Sequence, residues 1–138
     1  IHGVAKELVK ERIDWTIETV GIQKVRSRLI ANLSKGYRQR IGLAAAIVHL
    51  PPILILDEPT IGLDPANIVD IRNLIKSLQG KHTILISSHL LSEIALICSE
   101  ITILNAGKVI LSGNREKLGI NSFQELEDTF IKATRDKQ

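Results

Sequence analysis

The sequence predicts an α/β fold: a mainly parallel sheet with flanking helices, closed by a C-terminal β-hairpin and helix. Three observations carry this. Ile53-Leu54-Ile55-Leu56 and Thr83-Ile84-Leu85-Ile86 are short apolar runs with no polar alternation. Such runs read as strands buried on both faces, as in the middle of a parallel sheet. Stretches of helical period precede, separate and follow them, and strict alternation implies right-handed crossovers. Beyond residue 100 the pattern changes: residues 101–104, a turn at Asn105-Ala106-Gly107, and residues 109–111 read as a hairpin.

The elements follow in order. Over residues 2–20, Val4, Leu8, Val9, Ile13 and Ile17 recur at helical steps, with Lys6, Glu7, Lys10, Glu11 and Arg12 largely opposite. Gly21 is a stop signal. Residues 22–32 form a basic connection with Lys24, Arg26 and Arg28. Ser34 is suited to cap a second helix, whose apolar face comprises Ile41, Leu43, Ala44, Ala45, Ile47 and Val48. Pro51-Pro52 ends it. The first strand runs over residues 53–57. Asp64-Pro65 is a helix-start signature, followed by a stripe of Ile68, Ile71, Leu74, Ile75 and Leu78 and closed by Gly80. The second strand ends in Ser87, Ser88 and His89, and a helix takes residues 90–98. Ser122-Phe123-Gln124-Glu125 is a capping box opening a last helix to about residue 134, with residues 135–138 expected to fray.

Composition narrows the class. A chain of 138 residues, 44% hydrophobic and 24% charged, is enough for one globular domain. No apolar run approaches the roughly 18 residues of a bilayer span, and the first twenty residues carry no apolar signal-type region. The one cysteine, Cys98, fits a reducing compartment and a small core residue. A net charge of +3 and 3% aromatic residues give no reason to expect a nucleic-acid partner. The chain has no methionine and begins Ile1-His2-Gly3, so it is expected to be an internal or C-terminal piece of a longer protein.

Three polar clusters stand at the ends of apolar elements: residues 34–37, Asp57-Glu58, and residues 87–89. In open α/β sheets the ligand crevice lies beyond the carboxyl ends of the strands, where Asp57 and Glu58 fall. Each cluster also has a plainer reading. Ser34 can be only an N-cap, Asp57-Glu58 only a solvated turn, and His89 only the start of a helix.

Their order is more specific than any one of them. Leu33-Ser34-Lys35-Gly36-Tyr37-Arg38-Gln39-Arg40 precedes the strand ending Asp57-Glu58-Pro59-Thr60; Gly62-Leu63-Asp64-Pro65 follows, then His89. This resembles the C-terminal half of ATP-binding-cassette (ABC) nucleotide-binding domains, a P-loop NTPase fold, over residues 1 to about 118. Residues 33–37 match the signature loop, residues 53–58 Walker B with its catalytic glutamate, residues 61–64 the D-loop, and Ser87-Ser88-His89 the switch histidine. The resemblance implies three segments: residues 1–50 with the signature motif, 51–118 from Walker B to the switch histidine, and a tail at 119–138. It implies ATP and Mg²⁺ as cofactors. Asp57 would hold Mg²⁺ through a water. Glu58 would orient or deprotonate the attacking water, and His89 would contact the γ-phosphate. Ser34, Lys35, Gly36 and Tyr37 would serve the γ-phosphate bound by the opposite subunit of a head-to-tail dimer, with free N–H groups at a helix start. Asp64 would couple the two sites.

Two departures matter. The commonest signature has glycine and glutamine where this chain has Lys35 and Tyr37; the Lys-Gly-Tyr form is familiar among exporters of the drug and gliding-motility branch. Lys35 is expected either to add charge near the phosphate or to point to solvent. No Gly-x-x-x-x-Gly-Lys-Ser/Thr loop occurs in these residues, so they are expected to bind ATP poorly alone and to be marginally stable or aggregation-prone. The implied function is the ATP-hydrolysing subunit of an ABC exporter, cytoplasmic and peripheral on the inner face of the membrane beside a transmembrane permease. The alternatives are a non-transport ABC ATPase acting on ribosomes or DNA, and an inactive fragment.

Overall fold

In a computed structural model, which describes residues 3–135, the helices and strands follow the sequence pattern closely. The chain divides into two compact units, Ile1–Ser87 and Ser88–Gln138.

The first unit opens with a single 3₁₀ turn, Lys6–Leu8, and helix α1, Val9–Val20. The expected helix from residue 2 therefore becomes a true α-helix only at Val9, and position 2 lies outside the described residues. Gly21 ends α1 in the left-handed region (φ 70°). Its N–H donates to the Glu18 carbonyl and that of Ile22 to the Ile17 carbonyl, each at 3.1 Å. This pair of bonds is a Schellman motif and satisfies carbonyls that the helix end leaves unpaired. The basic connection is partly structured, with 3₁₀ turns at Gln23–Val25 and Ile30–Asn32. Helix α2, Lys35–Ile47, packs on α1.

Strands β1, Ile53–Asp57, and β2, Thr83–Ser87, pair in parallel, with Asp57 opposite Ser87. Helix α3, Pro65–Leu78, connects them. Asp64 caps it: the carboxylate accepts the Asn67 N–H at 3.0 Å, and Pro65 takes the first helical position, where no donor is needed. Ile71 and Ile75 are completely buried and Leu78 nearly so.

One expectation is corrected here. The strands are not buried on both faces. Leu54 and Leu56 are buried, but Ile53, Ile55 and Leu85 are 59%, 70% and 60% exposed. Parallel sheets bury both faces only where helices cover both. Within this unit one face of the two-stranded sheet is covered and the other is bare and apolar.

The second unit contains helix α4, Leu91–Ile97, antiparallel strands β3, Glu100–Asn105, and β4, Lys108–Asn114, and helix α5, Phe123–Arg135. Ala106 (φ 47°) and Gly107 (φ 74°) both take positive φ, the geometry of the two-residue turn that matches strand twist. The capping box forms as expected: the Glu125 carboxylate accepts the Asn121 and Ser122 N–H groups at 2.6 and 2.9 Å, and Ser122 Oγ accepts the Glu125 N–H at 3.2 Å. These donors hold the Glu125 carboxyl below its ordinary pKa. Ile101, Ile120 and Leu126 form the core, with Cys98 packed against it. Burial raises the Cys98 thiol pKa, opposed by the Arg115 charge. Of the residues expected to fray, Arg135 still belongs to α5, and 136–138 lie outside the described residues.

Candidate functional site at the end of the parallel strands

Hydrogen bonding along β1 and β2 carries Asp57 and Ser87 to the same end of the sheet. There the Ser87 hydroxyl donates to Asp57 Oδ1, and its oxygen accepts the Glu58 N–H at 3.2 Å. The same N–H donates to the Ser87 carbonyl at 3.1 Å. Ser87 thus ties both acids to the neighbouring strand. Glu58 is half-buried and adopts φ 46°, a left-handed conformation rare for a side-chain-bearing residue. Such outliers cost on the order of 1–3 kcal/mol and cluster at functional sites. Pro59 and Thr60 are buried directly behind it. Two turn bonds, Ile61 N–H to the Glu58 carbonyl and Leu63 N–H to the Thr60 carbonyl (both 3.2 Å), then fold the chain back to Asp64.

The carboxylate of Asp64 is bound twice by Asn67, through its N–H and through its side-chain amide at 2.5 Å. Those donors lower the Asp64 pKa.

The loop at residues 34–37 stands at the start of α2. Ser34 Oγ accepts the Tyr37 N–H at 3.4 Å, a long capping bond. Leu33 is buried, and its carbonyl accepts from the Arg38 guanidinium. Gly36 is buried against the Asn67 side chain. The Lys35 ammonium lies against Gly62. Lys35 was expected either near a phosphate or in solvent; its side chain is exposed, with the ammonium laid against the turn that precedes Asp64. Arg40, one turn further along α2, bonds the Val20 carbonyl at 2.8 Å and Asp70 of α3 at 2.7 Å.

The first unit therefore brings together Asp57, Glu58 and Ser87, and separately joins Ser34–Tyr37 to the turn ending in Asp64. His89 lies two residues beyond β2, exposed, in the second unit. Two residues were not singled out from sequence. Asn67 carries a readable signal, since an amide three residues after a capping Asp faces the cap. In the sequence Ser87 stands only within the 87–89 cluster and its histidine motif; its bond to Asp57 follows from strand register, which no local pattern states.

The acids fit a magnesium–phosphate site in kind. Asp57 offers an exposed carboxylate on a rigid strand end with a hydroxyl beside it. Among the described residues no three His, Cys, Asp or Glu side chains cluster to hold a metal. Mg²⁺ typically takes one or two carboxylates together with waters and phosphate oxygens, so one carboxylate here suits a site completed by a bound phosphate.

A parallel-stranded α/β unit with two acids at the end of its first strand has the architecture of a nucleotide-binding α/β domain, whose ligand crevice lies at the strand ends. Comparison with known proteins gives the family. The ABC transporter family model matches residues 3–61. The uncharacterized ABC transporter ATP-binding protein YhcH of Bacillus subtilis (strain 168) is 46% identical over 109 residues, covering 78% of this chain and 36% of its own length. The bacitracin transport ATP-binding protein BcrA of Bacillus licheniformis is 46% identical over 112 residues, covering 80% of this chain and 36% of its own. The structure of cbiO1 from Clostridium perfringens, part of the ABC transporter complex cbiONQ, superposes with a TM-score of 0.77 at 29% identity, over 93% of this chain and 51% of that one. This chain belongs to the ABC transporter ATP-binding family and carries part of its ATP-binding domain. The likeness to BcrA fits the drug-exporter branch. It spans 36% of the length of these two curated relatives.

Proposed function

We propose that the chain is the second half of an ATP-binding and ATP-hydrolysing subunit that energises an ABC exporter. The observation that carries this is Glu58, held by Ser87 in a left-handed backbone at the end of a parallel strand, directly after Asp57. Relatives named for bacitracin and lantibiotic transport favour export over work on ribosomes or DNA. We assign residues 1–50 to the signature segment, 51–118 to the catalytic half and 119–138 to a tail. The rest of the domain, with its phosphate loop, lies elsewhere in the full-length protein.

Bound ATP and Mg²⁺ supply the γ-phosphoryl electrophile and neutralise its charge. The residues of this chain do the rest. Asp57 would hold Mg²⁺, and the Ser87 hydroxyl, bonded to Asp57 Oδ1, steadies that carboxylate. Glu58 accepts a hydrogen bond from the attacking water and takes or orients its proton. His89 contacts the γ-phosphate. Ser34, Lys35, Gly36 and Tyr37 form the loop that completes the opposite subunit's site in a head-to-tail dimer, and Asp64 couples the two. No helix among the described residues is long and apolar enough to cross a membrane. The relatives named for transport support a permease partner that supplies the spanning path, with this subunit on the inner face.

The test is Glu58→Gln in the full-length protein. It should bind ATP, remain dimerised, and lose at least about a hundredfold in turnover, the range for a lost general base. Wild-type hydrolysis by that variant would remove Glu58 from this role.

A further inference from the structure

The start of α2 and the turn before α3 interlock through two glycines, each receiving a side chain from the other segment. Gly36 is buried and helical, so its lack of a side chain answers to space and not to backbone conformation. A Cβ there would lie 2.7 Å from Asn67 Cγ and closer still to Oδ1. Asn67 cannot retreat cheaply, because its N–H and its amide nitrogen are both engaged by the Asp64 carboxylate (3.0 and 2.5 Å). In the reverse direction, Gly62 (φ 65°) leaves room for the Lys35 ammonium, which a Cβ at that position would overlap. One turn along each helix, Arg40 and Asp70 pair at 2.7 Å.

We propose that Asn67 and Lys35 are positioning residues. They lock the 34–37 loop to the 58–64 turn of the same subunit, so that the catalytic turn and the loop offered to the opposite subunit move as one body. The inference rests on the ATPase reading above. It gives Lys35, within the loop that completes the opposite subunit's site, a structural task against Gly62, and makes the glycine at 36 a seat for Asn67.

Steady-state ATP hydrolysis by the full-length protein tests this. Asn67→Ala should lower kcat about tenfold, within the range for slightly misplaced groups, while ATP KM stays within about twofold. Gly36→Ala should cost at least as much in the wild-type background and almost nothing further in the Asn67→Ala background, where the obstructing amide is gone. This non-additivity is the signature of direct contact. The proposal is overturned if Gly36→Ala costs the same factor in both backgrounds, or if Asn67→Ala leaves kcat unchanged. Should Gly36→Ala fail to fold, Lys35→Gln carries the test. A fall in kcat at constant KM supports the latch; a raised KM at constant kcat means that Lys35 touches nucleotide and sinks it. Glu58→Gln, assayed beside them, separates the two ideas: undiminished turnover there refutes the hydrolysis reading itself, whereas lost turnover with unaffected Asn67 variants refutes only the latch.

Discussion

Replacing Arg40 by alanine should loosen the packing of α1, α2 and α3 at one point. Its side chain is only 17% exposed and makes two bonds. One goes to the carbonyl of Val20, the last residue of α1 and itself fully buried, at 2.8 Å. A hydrogen bond from a charged donor contributes about 1.5–3 kcal/mol, and removing it leaves a helix-end carbonyl without its side-chain partner. The other goes to Asp70, whose side chain is 57% exposed. Solvent screening limits that pair to about 0.2–1 kcal/mol. The sum is about 2–4 kcal/mol, carried mainly by the carbonyl bond. Native-state hydrogen exchange of the α1 and α2 amides in the full-length protein reads such local opening. At about 1.4 kcal/mol per factor of ten, Arg40→Ala should speed exchange by at least about thirtyfold, and Asp70→Asn by less than about fivefold. Exchange that changes less than threefold in Arg40→Ala would refute the reasoning, as would equal effects of the two variants.

Other outcomes follow from the same structure. Asp64 should titrate below the ordinary aspartate value of about 3.9, because Asn67 donates to its charged form; its stabilising effect is present above about pH 4 and lost as pH falls through the lowered value, a shift that NMR titration checks and Asp64→Asn removes. Ala106→Asn should stabilise the hairpin by about 0.5–1 kcal/mol, since asparagine tolerates the left-handed turn better than alanine, and thermal unfolding would register it. Ile55→Thr with Leu85→Thr should have opposite signs in two settings: less light scattering from the isolated 138 residues, where this face is bare, and lower stability of the full-length protein if the face is buried there. Equal effects in both settings would mean that nothing covers the face.

The elements were legible because their signals are local. Asp64-Pro65 marks the α3 start through cap chemistry, Ser122 with Glu125 marks the α5 start in the same way, and the unbroken runs at 53–56 and 83–86 mark strands through hydrophobicity. The strand interiors misled on one point: an all-apolar run implies burial on both faces, yet Ile53, Ile55 and Leu85 are exposed. Residue type states what a face prefers; whether another layer covers that face is not written in the strand itself.

The site divides along the same line. The sequence alone singled out the residues to which the chemistry is proposed, because Asp57, Glu58, Asp64 and His89 stand in a fixed order at the ends of regular elements, and that order also carried the resemblance to the family. Only the tertiary structure decided how they are held. Parallel register set Ser87 against Asp57, a left-handed backbone turned Glu58, and side-chain packing folded Lys35 onto Gly62 and Asn67 into Gly36. These are contacts between segments about thirty residues apart. Local propensity acts over only a few residues, whereas steric fit between such segments exists only once the chain has closed on itself.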